Sequence, residues 1–205
     1  LPEMSRRLTA GDFDGAQTSQ RKAFEFTLLL SVPFVAAFLT VPDEIMRAMF
    51  ARGAFSKADA AAAGATLAAY AIGLVPFVLI RSAVATFYAR QDTATPVKGA
   101  LIGAAVNVAV KVLLVGSLAQ IGLALATAAG AWVNLLLVLG FAIRRGFLVV
   151  KTSLKASLLK FLGVGILLAA ALWGTALALE TLLAPMRAFR DETALLILIV
   201  VGAVV

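Results

Sequence analysis

The sequence predicts an all-α integral membrane protein, a polytopic helical bundle, and three observations carry that prediction. The chain is 62% hydrophobic and only 14% charged, with a mean hydropathy of +1.00. Its apolar residues come in long runs, several of them near the roughly 20 residues a helix needs to cross a bilayer core. Gly and Pro lie inside these runs, and none shows the period-two alternation of a barrel strand.

About five complete spans follow in order, with truncated helices expected at both ends. Leu1 to Leu8 read as the tail of an upstream helix, and residues 5–22 are polar, with Gly11, Asp12, Asp14 and Gly15 marking a loop. The first span covers about 23–41 and carries Pro33 near its middle, which frees a backbone carbonyl that neighbouring groups must satisfy. In the polar interval 42–59, Ile45, Met46, Met49 and Phe50 fall at helical spacing and predict a short amphipathic helix in the interface. The second span covers about 60–87 and contains Pro76. The third (97–118) and fourth (121–143) are joined by Ser117 to Gln120, a turn so short and uncharged that the two must form an antiparallel hairpin. Residues 144–160 read as a basic linker, 161–179 as a fifth span and 180–192 as a polar patch. The last run, 194–205, has only 12 residues, too few to cross a bilayer. With neither an initiator Met nor a signal peptide at Leu1-Pro2, the chain is expected to be an internal or C-terminal piece of a longer protein.

Loop charge sets the orientation. Eleven cations (Arg6, Arg7, Arg21, Lys22, Arg90, Lys98, Arg144, Arg145, Lys151, Lys155 and Lys160) fall on one side, and five (Arg47, Arg52, Lys57, Arg187 and Arg190) on the other. With Arg81 and Lys111 inside spans, these make the eighteen in the sequence. Short loops rich in Lys and Arg stay cytoplasmic, so the loop around Arg90 is inside and the intervals 42–59 and 180–192 are outside. The net charge of +7 is therefore explained by topology and anionic lipid headgroups, with no nucleic acid required.

Composition also narrows the chemistry. There is no Cys and no His, which excludes disulfides, thiolate nucleophiles, Cys/His zinc sites and histidine acid–base catalysis. Asp43-Glu44 and Asp191-Glu192 are adjacent pairs on the outer side, read as solvated, and no Gly-rich phosphate motif appears. The expectation is a protein that is not an enzyme, with no catalytic residues, no metal and no cofactor.

The candidate site residues are therefore polar groups inside spans. Lys111 lies about seven residues before the outer end of the third span, roughly 10 Å deep at the helical rise. A lysine there costs several kcal/mol unless it snorkels, pairs or faces a wet cavity. Asn107 is four residues earlier on the same face. Reflecting the hairpin about Ala119 sets Thr127 level with Lys111, so that an ammonium, an amide and a hydroxyl are expected to meet in a substrate or ion cavity. The bland reading is a snorkelling lysine beside an asparagine at a helix contact. Arg81, near the cytoplasmic end of its span, reads first as a headgroup anchor and second as a substrate-phosphate contact. Asn134 reads as interhelical glue and Trp132 as a packing residue. Gly64, Gly73, Gly103, Gly122 and Gly130 allow close helix approach.

Several strings then resemble a known family. Leu1-Pro2 with Ser5 looks like the end of a helix entering a cytoplasmic loop; Phe50-Ala51-Arg52-Gly53-Ala54-Phe55-Ser56, with Asp59, is similar to an outer-loop string; and Tyr70, Gly73 and Arg81 lead into Phe87 to Lys98. That last segment is similar to the Tyr-Ala-Arg-x-Asp-x-x-Thr-Pro-Val-Lys connection of the MurJ (MviN) lipid II flippases, and the likeness covers most of residues 1–150. The resemblance implies the fourteen-helix, two-lobed fold of the multidrug/oligosaccharidyl-lipid/polysaccharide exporter superfamily. Residues 1–150 would be the C-terminal transporter lobe and 151–205 the last two helices, with the N-terminal lobe outside the chain. It implies a protein of the bacterial cytoplasmic (inner) membrane that flips lipid II, the undecaprenyl-diphosphate-linked peptidoglycan precursor, by alternating access. The alternatives are a flippase of another lipid-linked oligosaccharide, such as an O-antigen or exopolysaccharide unit, and a non-transporting membrane scaffold. The family's cavity arginines lie upstream of Leu1, and its last two helices are thought to form a groove for the lipid tail. Some relatives are cation-coupled; a Lys111 standing in for bound sodium would make this protein independent of that ion.

Overall fold

A computed structural model describes residues 6–7, 9–149, 152–182 and 190–204. Among the described residues six helices with defined bounds follow one another: α1 (Phe13–Thr40), α2 (Pro42–Phe50), α3 (Lys57–Tyr88), α4 (Ala94–Arg144), α5 (Thr152–Leu182) and α6 (Arg190–Val204). There is no strand among the described residues. Among the described residues, four helices are long and apolar enough to cross a membrane. The longest of them, α4, is two spans in one: the backbone leaves helical geometry at Ala119 (φ 45°, ψ −123°) and doubles back. Gly122 lies against the Leu114 carbonyl, so the arms 94–118 and 120–144 run antiparallel, as the short uncharged turn predicts. The chain is a multi-pass, all-α membrane protein.

The helices form a row. α1 sits between α3 and α5, α3 between α1 and the hairpin, and α2 lies against α3 and α6. Among apolar helices in lipid, close backbone approach replaces the hydrophobic effect as the cause of association. Each of the five glycines singled out above meets a neighbour: Gly64 the Asp43 backbone, Gly73 Ala128, Gly103 and Gly130 each other, and Gly122 Leu114. Two apolar clusters fill the remaining seams. Phe24, Leu28, Leu79, Phe87, Leu135 and Val138 join α1, α3 and the second hairpin arm; Ala36, Val41, Leu168, Leu172 and Leu198 join α1, α5 and α6. The first arm keeps Leu101, Val108, Val112 and Leu113 exposed.

Local rules explain the ends. Ser56 and Asp59 form a reciprocal capping box that starts α3. Gln91 (φ 59°) and Gly146 (φ 69°) are the left-handed residues that end α3 and the hairpin. The Asp92 N–H donates to the Phe87 carbonyl (3.0 Å), and the Phe147 N–H to that of Ala142 (2.8 Å). Pro33 and Pro76 stay inside helices.

Three boundaries differ from the sequence reading. The first helix α1 begins at Phe13, so 13–22, read as part of a polar loop, are its first turns, and Asp12 caps them by accepting from the Gly15 N–H (2.8 Å). The basic linker is shorter, because α5 begins at Thr152 and carries Lys155 and Lys160 on its first turns. Likewise α6 begins at Arg190, so Arg190 to Glu192, read as polar patch, lie in its first turn, where Asp191 and Glu192 complement the helix dipole. Residues 1–5 and 8, read as an upstream helix tail, and 183–189 of the polar patch lie outside the described residues.

Candidate functional site

The hairpin arms carry the same five-residue pattern in opposite directions: Gly103-Ala104-Ala105-Val106-Asn107 and Gly130-Ala131-Trp132-Val133-Asn134. Gly and Asn four apart share a helix face, so in an antiparallel pair each asparagine reaches the other arm's glycine. A Cβ built on Gly103 would lie 2.9 Å from the Asn134 Cβ, and one on Gly130 2.8 Å from the Asn107 Cβ. The same Cβ atoms would lie 2.7 and 2.6 Å from the opposite glycine's carbonyl oxygen, so any side chain at either position forces the arms apart. The two asparagines are held by one reciprocal contact, a relation the sequence reading missed although the repeated Gly-Ala-x-Val-Asn string was its signal.

Beside this contact a cavity of about 210 Å³ opens between α3 and the hairpin. Asn107, Asn134, Gly103 and Gly130 line it from the hairpin, and Pro76 and Phe77 from α3. The Asn134 Oδ1 is buried near Gly99 without a hydrogen-bond partner among the described residues.

Lys111 stands one turn outward from Asn107, partly buried, with no hydrogen bond or ion pair to the described residues. The Thr127 hydroxyl donates to the Leu123 carbonyl of its own helix (2.9 Å) and not towards Lys111. The register set by Asn107 on Gly130 puts Lys111 opposite Ala126, one residue from Thr127. Arg81 is exposed on α3, one turn cytoplasmic of Phe77. The structure thus lines one cavity with Asn107 and Asn134, sets Lys111 a turn beyond Asn107, and leaves Arg81 exposed next to the lining residue Ile80.

The polar connection around Arg90 is a collar tying three helices at the end that loop charge assigns to the cytoplasm. Arg90 donates to the Thr86 carbonyl (2.8 Å) and lies 4.3 Å from the Phe147 ring centroid, a cation–π contact. The Thr86 hydroxyl, itself buried, donates to the Oε1 of buried Gln20 on α1 (2.9 Å). Asp92 accepts from the Thr95 N–H (3.0 Å) and hydroxyl (2.7 Å) and pairs with Arg145. The Thr95 donors, then Arg145, hold the Asp92 carboxyl below its usual range. Burial lowers the Arg90 guanidinium from its ordinary value.

The family model described as "Lipid II flippase MurJ" matches residues 1–190. The chain belongs to the MurJ family. A probable lipid II flippase MurJ of Rhizobium meliloti (strain 1021) is 42% identical over 146 residues, which are 71% of this chain and 27% of that protein. That of Rhizobium tropici is 39% identical over 154 residues, 75% of this chain and 29% of the relative. The lipid II flippase MurJ of Burkholderia cenocepacia is 33% identical over 144 residues, 68% of this chain and 27% of the relative. The chain therefore spans less than a third of the length of these relatives. MurJ flippases are transporters of the bacterial inner membrane, and the multi-pass fold agrees.

The strings that resemble MurJ have structural roles here. Around the outer loop, Gly53 takes a left-handed turn (φ 60°), and the rings of Phe50 and Phe55 meet at 6.2 Å. Arg52 reaches Glu192 at the start of α6 (3.3 Å), while Arg47 lies 3.3 Å from Glu44 and 4.0 Å from Asp191. Among the described residues, no group of three or more His, Cys, Asp or Glu side chains is arranged to hold a metal ion.

Proposed function

We propose that this chain is part of a flippase that carries lipid II, the undecaprenyl-diphosphate-linked peptidoglycan precursor, across the bacterial inner membrane by alternating access. It acts as a transporter and not as an enzyme. The family match over residues 1–190 carries this reading. In it, residues 1–150 form the C-terminal transporter lobe and 151–205 the last two helices, working against an N-terminal lobe of the same polypeptide. Lys111, Asn107, Thr127 and Arg81 line the path of the headgroup, and the polyprenyl tail stays in lipid.

Physical argument supports a cavity role for Lys111. An unpaired lysine inside a span is costly unless it meets water or an anion, and an anionic headgroup supplies the second. As a fixed positive charge it also removes the need for a bound cation at that level. In the full-length protein, Lys111→Met is expected to impair lipid II flipping in proteoliposomes at unchanged membrane abundance, and wild-type flipping to proceed equally in sodium and in potassium. Undiminished flipping by the variant would remove Lys111 from the path; wild-type protein that moves no lipid II would overturn the function itself.

A further inference from the structure

We propose that the cavity between α3 and the hairpin is a subsite for an uncharged hydrogen-bonding group of the transported headgroup, an amide or hydroxyl of its sugar–peptide part, and not for the diphosphate. The inference rests on the flippase reading and goes beyond it.

Four observations converge on this assignment. First, two carboxamides line the cavity, and the Asn134 Oδ1 is buried with no partner among the described residues. The Asn107 carboxamide, only partly buried, likewise makes no hydrogen bond to the described residues, and a carboxamide left unpaired in hydrocarbon costs several kcal/mol, so this cavity favours water or a polar ligand. Second, no charged side chain lines it; Arg81 follows the lining residue Ile80 but is exposed, and Lys111 stands one turn, roughly 6 Å, beyond Asn107. A diphosphate belongs with those cations, leaving the space between them to neutral chemistry. Third, a carboxamide offers a donor and an acceptor side by side, the complement of an amide or hydroxyl, while Phe77 and Pro76 supply an apolar wall. Fourth, at about 210 Å³ the cavity falls below the roughly 300–1,000 Å³ of a complete ligand site, so it takes one group of a larger headgroup. The reciprocal Gly–Asn contact gives the subsite its rigidity, since neither asparagine can shift without parting the arms.

The test compares two ligands with the same tail and diphosphate, lipid II and undecaprenyl diphosphate, bound to the purified full-length protein and followed by native mass spectrometry. Wild type is expected to prefer lipid II. Asn107→Ala and Asn134→Ala should each lose about three- to tenfold in lipid II affinity, the worth of one hydrogen bond, with undecaprenyl diphosphate affinity unchanged. Because alanine keeps the Cβ that packs on the opposite glycine, and because the Asn134 Oδ1 is buried whereas Asn107 is only partly so, Asn107→Ala with an unchanged melting temperature serves as the decisive variant. Equal weakening of both ligands, or an intact preference in a variant that still flips lipid II, would overturn the subsite and leave the flippase reading standing. Wild-type protein that neither binds nor flips lipid II would overturn both.

Discussion

The indole Nε1 of Trp132 donates to the backbone carbonyl of Ile72 at 2.9 Å. Ile72 lies four residues before Pro76, and its carbonyl is the one that the missing proline N–H leaves without a helical donor. The second hairpin arm therefore repairs the break that proline makes in α3. Gly73, next in sequence, accepts Ala128 at close range and lets the two helices approach enough for the indole to reach. A proline kink, a small residue and a donor on the neighbouring span act as one joint.

This joint predicts a double-mutant cycle. Trp132→Phe keeps the ring and removes the donor, leaving the Ile72 carbonyl unsatisfied, and should destabilise the protein by about 0.5–2 kcal/mol in detergent or bicelles. Pro76→Ala restores the helical donor. In that background Trp132→Phe should cost much less, giving a coupling energy in thermal or steric-trap unfolding. Additive effects would mean that the indole contributes packing alone.

The hairpin turn yields a stabilising substitution. Ala119 holds φ 45°, ψ −123°, a conformation that favours glycine. Ala119→Gly should raise the midpoint of unfolding, the relief of left-handed strain being about 1 kcal/mol. The gain is reduced by the greater freedom of glycine in the unfolded chain. A lowered midpoint would show that the turn does not hold Ala119 in this conformation.

How much of this was legible follows from which residues act locally. The hairpin was readable because Ser117 to Gln120 contains neither charge nor length enough for any other connection, and the close approaches because Gly lacks a side chain wherever it sits. The pairing of Asn107 with Asn134 was hidden because it depends on register: reflection about Ala119 fixed levels to within a residue or two but not which faces meet. Thr127 illustrates the same limit, since a hydroxyl four residues from a helical carbonyl bonds back to it, as it does to Leu123. The role of Trp132 was hidden because a proline names the carbonyl it frees but not the distant donor that answers.

At the cytoplasmic collar, Asp92 predicts an acid dependence. Its carboxyl is held below the ordinary value by Thr95 and then Arg145. A group whose native pKa is lowered stabilises the fold above its unfolded value of about 3.9, and that stabilisation disappears as pH falls through the native value. Asp92→Asn should therefore lower the melting temperature at neutral pH, with the difference from wild type closing below about pH 4. A gap between the two that persists in strong acid would assign the effect to lost hydrogen-bond geometry and not to ionisation.

The outer loop and the last helix are joined by charge. Arg47 lies between Glu44 and Asp191, and Arg52 reaches Glu192, so the first turn of α6 is tethered to α2 and the loop after it. Below this clasp, Phe34, Ile45, Met49, Leu172, Leu198 and Ile199 line an apolar cavity of about 320 Å³ between the same elements. The pairs are part-exposed and each contributes about 0–1 kcal/mol, too little to alter global stability but enough to set how often α6 swings away. Asp191→Asn with Glu192→Gln should leave the melting temperature nearly unchanged while speeding amide exchange over 193–198. High salt should do the same to wild type by screening. Exchanging the charges, Arg52→Glu with Glu192→Arg, should restore much of the protection. Exchange insensitive to salt and to both sets of variants would mean that the apolar contacts of Leu198 with Leu168 and Leu172 hold α6 unaided.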